Sequence, residues 1–148
     1  MKGAPRVLCA VAGILLFACS SHAWGLSAES RERYARGARL ASQQARYRDA
    51  LEDFRYVLNE DPTHAPAVVS AAQCRAALGE LQPARDLYEQ ALSLSLAPES
   101  VVTVRRELGK IGLRQGRYTD AQTHLEEARR LARGAADIAT LLGDVYQK

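Results

Sequence analysis

Apolar side chains recur at helical spacing through most of this chain and never alternate for long. Leu51, Phe54, Val57 and Leu58 fall at i, i+3, i+6 and i+7, one face of a helix. Leu87, Tyr88, Ala91, Leu92 and Leu94 trace a similar face. Between such faces stand residues that end helices: Asp61-Pro62, Gly79, Ala97-Pro98, Gly116 and Gly134. There is no sustained apolar–polar alternation and no Asn-Gly or Asp-Gly pair to turn a hairpin. The pattern predicts an all-α chain of short amphipathic helices.

Three windows repeat one another. Tyr47 to Phe54, Leu81 to Tyr88 and Tyr118 to Leu125 each place an apolar residue three before an alanine and a large apolar residue four after it. Val57, Ala91 and Ala128 follow three residues later. Ala50 and Ala84 are 34 residues apart, and Ala84 and Ala121 are 37 apart. Three residues are therefore inserted in the second interval, which predicts a longer helix or a wider loop between Ser93 and Ser100. A small residue at each centre lets two helices approach closely, and the large residue one turn on fills the space beside the contact.

The spacing resembles the tetratricopeptide repeat (TPR), a helix-turn-helix unit of about 34 residues. Asn59-Glu60-Asp61-Pro62 matches its closing segment, and Leu108-Gly109 matches the Leu-Gly pair of its first helix. Ala139, Leu142-Gly143 and Tyr146 repeat the first-helix pattern at the end of the chain. Departures are visible at Gly37-Ala38, Ala71-Ala72, Leu96, Arg105 and Gly112. The resemblance implies a short right-handed solenoid: TPR-like units at 31–64, 65–98 and 102–135, then a capping helix at 136–148. A single pair cannot bury its apolar face alone, so neighbouring pairs must stack. Asp137, Asp144, Gln147 and Lys148 suit the outer, wetted face of a cap.

In the family, five positions of each first helix face the concave groove. Carried onto this chain they are Glu32, Ala35, Arg39, Ser42 and Gln43 in the first unit. In the second they are Pro66, Val69, Gln73, Ala76 and Ala77. In the third they are Thr103, Arg106, Lys110, Leu113 and Arg114. An apolar middle flanked by cations would take an extended peptide with an acidic or carboxylate end. The plain alternative is that Arg106, Lys110 and Arg114 form a solvated stripe at i, i+4 and i+8. The resemblance implies a protein or peptide partner, and small extracytoplasmic bacterial TPR proteins and lipoproteins are its nearest kind. The other reading is a homo-oligomer packed through the groove or the solenoid ends.

The first residues look like an address. Lys2 and Arg6 precede an uncharged run, Val7 to Ala18, that is shorter than the ~20 residues of a membrane span. Ser21-His22-Ala23 offers a signal-peptidase site, giving a leader at 1–23 and a linker at 24–30. Leu16-Phe17-Ala18-Cys19 resembles a lipobox, giving a leader at 1–18 and a lipid on Cys19. Either way the folded part belongs outside the cytoplasm.

Composition narrows function chiefly by exclusion. Without Lys2 and Arg6, 18 cations face 17 anions, so no electrostatic footprint for nucleic acid exists. Six Tyr, two Phe and one Trp leave the core to small and medium side chains. Beyond the leader only Cys74 remains, among alanines, which fits a small core residue. His22, His64 and His124 are scattered, and H-x-x-x-H, C-x-x-C, G-x-S-x-G and P-loop spacings are absent. No catalytic residue, metal ligand or cofactor is expected. His64 reads as a solvated turn residue, and Glu126-Glu127 with Arg129 and Arg130 as a salt-bridged outer face.

Overall fold

A computed structural model describes residues 25–132 and 134–147. The leader, its cleavage site and Cys19 lie outside the described residues. The described chain forms seven helices and no strand: α1 (Ala28–Gln44), α2 (Tyr47–Glu60), α3 (Ala65–Ala77), α4 (Leu81–Leu92), α5 (Pro98–Arg114), α6 (Tyr118–Leu131) and α7 (Ala136–Tyr146). Helices pack as the pairs α1–α2, α3–α4 and α5–α6, each pair stacks on the next, and α7 closes on α6 and α5. This is an all-α solenoid with a terminal capping helix. No described helix is long and apolar enough to cross a membrane.

Local chemistry sets the helix ends. Gly79 and Gly116 turn the chain at φ 80° and 71°, a region open to residues without Cβ. Pro98 opens α5, where a missing N–H costs nothing. The extra residues after Leu92 form a wider loop rather than a longer helix. The α1–α2 turn uses no glycine: Ala45 itself takes φ 50°, and the Arg46 N–H donates to the Leu40 carbonyl at 3.0 Å. At the other end of α1 the Ser27 hydroxyl caps the Ser30 N–H at 3.1 Å. Glu60, at the end of α2, accepts from the Ser27 N–H and hydroxyl at 2.7 Å each and from the Ser30 hydroxyl. Those donors, Ser30 first, hold the Glu60 carboxyl below its usual range.

The core is built in three sections. Ala50, Phe54, Ala71 and Cys74 form the first; Ala72, Ala84, Tyr88, Val104, Leu108 and Ile111 the second. The third joins Ala121, Leu125 and Ala128 of α6 to Ile138, Leu142 and Val145 of α7. The repeated alanines Ala50, Ala84 and Ala121 are fully buried, as close helix contact requires. Contact is tightest at Gly109, where a Cβ would stand 2.5 Å from Leu125 Cγ. One buried charge was not foreseen from the sequence. Asp53 on α2 is wholly enclosed and ion-paired to Arg36 of α1, with Arg33 at 3.7 Å.

Candidate functional site

Two depressions open along α3. The first, about 470 Å³, lies between α1, α2 and α3. Ala38, Ala41, Phe54 and Cys74 give it an apolar lining, and Ser42, Tyr47, Ser70 and Gln73 add polar atoms. On the α1 side it is lined by the short side chains of Ala38, Ala41 and Ser42. The second, about 320 Å³, lies between α1, α3 and the α4–α5 loop. Tyr34 and Val69 form its apolar sides, and Ser95, Leu96 and Ala97 of the widened loop form its far wall. Ser70 and Gln73 border both depressions. No charged side chain lines either one.

The expected groove positions divide accordingly. Ser42, Gln73 and Ala77 line the first depression, and Pro66, Val69 and Gln73 the second. Arg39 and Gln43 are exposed on α1 and line neither. The third unit does not present an open cationic stripe. Arg106 donates to Asp137 of the cap at 2.9 Å, and Lys110 donates to Glu107 at 2.8 Å. The reason is the return of α7 over α5, which brings a carboxylate to Arg106. Leu113, half-buried, packs against the third core section rather than into a groove. Of this stripe only Arg114 is exposed.

Tyr34 is held as a wall of the second depression. Its ring meets Phe54 at 5.7 Å and the edge of His64 at 5.4 Å. His64 is therefore more than a solvated turn residue: it is half-buried, and its Nδ1 accepts the Ala67 N–H at 3.2 Å, capping α3. Cys74 lies inside the core, and burial pushes its thiol up to about 11, which keeps it protonated and a poor nucleophile. His124 is pushed down by burial and then by Arg105, whose guanidinium lies 3.4 Å from Nδ1. On α6 the Glu127–Arg130 pair closes at 2.6 Å, as the charge pattern of that face anticipates. Among the described residues no group of three His, Cys, Asp or Glu could hold a metal ion.

Helix pairs with small residues at their contacts, stacked and capped, define a helical-repeat protein. Family comparison makes this specific: two tetratricopeptide repeat models match, over residues 41–95 and 106–147. The chain belongs to the tetratricopeptide repeat family, whose units are protein-interaction modules. Solved structures agree at the level of fold. The second TPR domain of human RPAP3, in complex with an HSP70 peptide, is 18% identical with TM-score 0.71, covering 81% of this chain and 97% of that one. The Yersinia enterocolitica type III secretion chaperone SycD, in complex with a peptide of the translocator YopD, is 17% identical with TM-score 0.72, covering 82% and 95%. Comparison with curated proteins finds no match.

Proposed function

We propose that this protein is a non-enzymatic adaptor that holds a segment of a partner protein against α1 and α3, outside the cytoplasm, in the assembly of an envelope complex. The observation that carries the binding role is the pair of uncharged depressions along α3, open on a fold whose structural neighbours include peptide complexes. The location rests on the leader pattern, with lipid on Cys19 or cleavage before Trp24 as its two forms. A photo-crosslinking residue at Gln73, with one at Arg129 on α6 as control, tests the role in intact cells. Partner adducts at Gln73 and none at Arg129 are expected; adducts at Arg129 alone would refute the groove. Cys19→Ala with membrane fractionation and intact mass tests the anchor. Unchanged membrane retention without an acyl mass removes the lipid.

A second reading, a homo-oligomer joined through the solenoid end, draws on α7. Open space surrounds the Cβ direction of Gly143, and Tyr146 is 61% exposed. Light scattering on the purified protein separates the two, since a concentration-independent dimer favours this reading.

A further inference from the structure

We infer that the partner segment is an extended, uncharged stretch bearing two large apolar side chains with one residue between them, one side chain in each depression along α3. This rests on the adaptor reading above and names the chemistry of its ligand. Three observations carry it.

The first is charge. A quarter of the chain's residues are charged, yet none lines either depression. Arg106 and Lys110 of the third unit are already paired with Asp137 and Glu107. A ligand carboxylate placed in the depressions would lose water and find no counter-charge. An apolar side chain would cover Ala38, Ala41 and the Tyr47 ring in the first depression, or Tyr34 and Val69 in the second.

The second is spacing. The first depression is bordered on α3 by Ser70, Gln73, Cys74 and Ala77, and the second by Ala65, Pro66, Val69, Ser70 and Gln73. Their centres are offset by about five helical residues, or ~7.5 Å at 1.5 Å rise. An extended chain advances ~6.6 Å over two residues and returns its side chains to one face. Apolar–x–apolar therefore fits, with Ser70 and Gln73 between the two holes and free to bond the ligand's backbone.

The third is that both holes are framed by short side chains or by the widened loop of this chain. α1 lines the first with the short side chains of Ala38 and Ala41. The second is walled by Ser95, Leu96 and Ala97, which belong to the widened loop between α4 and α5.

The test is selection of a phage-displayed random dodecapeptide library on the purified protein, followed by polarisation titration of the selected peptides. Ala77→Trp fills the first depression, Ser95→Trp crowds the second, and circular dichroism checks that both variants fold. Selected sequences should share two large apolar residues around one uncharged residue. Each Trp variant should weaken binding by about 10- to 100-fold, the worth of one buried apolar side chain. Truncating the matching apolar residue of the peptide should lose no further affinity in that variant. Peptides enriched in Asp or Glu, bound equally by both Trp variants and lost on Arg114→Glu, would overturn this inference and leave the adaptor reading intact. Failure to enrich any sequence, or binding untouched by all three substitutions, would overturn both.

Discussion

Two glycines occupy the same place in successive repeat units and should respond oppositely to one added methyl. Gly109 on α5 and Gly143 on α7 stand 34 residues apart. A Cβ on Gly109 would lie 2.5 Å from Leu125 Cγ, 2.6 Å from Cδ2 and 3.2 Å from Cδ1. Carbon atoms rest at about 3.5–4.0 Å, so Leu125 must yield by ~1 Å. Leu125 is fully buried between α5, α6 and the cap, and the clash falls on its branch point rather than on a free end. Overpacking of that kind costs about 1–3 kcal/mol, and the clash here belongs near the top of that range. Helix propensity returns about 1 kcal/mol on replacing glycine with alanine. Gly109→Ala should therefore lose about 2 kcal/mol. At Gly143 nothing stands within 4 Å of the new methyl, so only the propensity gain remains. Gly143→Ala should gain up to ~1 kcal/mol. Urea denaturation followed by circular dichroism measures both midpoints. In a double-mutant cycle, Gly109→Ala with Leu125→Ala should cost less than the two single changes together, because the added methyl enters the space Leu125 leaves. A Gly109→Ala protein as stable as Gly143→Ala would refute the close contact of α5 with α6.

Three further outcomes follow from the described structure. Ala45→Gly should raise stability by about 1 kcal/mol, because φ 50° burdens a residue with Cβ and suits glycine; the urea midpoint reads it. Arg33 and Arg36 both serve the enclosed Asp53, so their joint replacement by alanine should cost more than the two single replacements added, measured as a double-mutant cycle in urea. His124 has a folded pKa below its ordinary value near 6.5, so the unfolded chain binds more protons in that window. Stability should fall as pH drops from about 7 through 6, and His124→Gln should flatten that slope; an unchanged slope would remove His124 as its source.

What could be read from the sequence is what is local or periodic. Ala50, Ala84 and Ala121 announce the helix contacts because each repeats at fixed distance from a large apolar residue, and all three are fully buried. The end of α7 was readable for the same reason: Leu142-Gly143 repeats Leu108-Gly109. The first turn was not. Ala45 adopts the left-handed conformation without glycine, so no breaker marks the end of α1. Charge pairing was less readable still. Asp53 looks like one more polar position of α2 until α1 lies against it and supplies Arg36 from 17 residues away. Arg106 and Lys110 read as a free stripe by helical spacing, but Asp137 answers Arg106 from 31 residues further on.

The depressions along α3 illustrate a different limit, since a depression is made of atoms that are missing. Gly37-Ala38 is visible in the sequence as a departure from the repeat, and the extra residues after Ser93 as an insertion. Neither reveals its consequence until the helices are stacked. Gly37 is then consumed by packing, since its Cβ direction meets the enclosed Phe54 at 3.0 Å, while the short side chains of Ala38 and Ala41 line the first depression on the side facing α3. The widened loop could have projected into solvent. Instead Leu96 packs against the second core section, and this anchors Ser95 and Ala97 as the wall of the neighbouring depression. On the proposed reading, departures from the repeat pattern carry the specificity that the pattern itself cannot. Positions that obey it are occupied with holding one helix against the next, and those that break it leave surface for something else to fill.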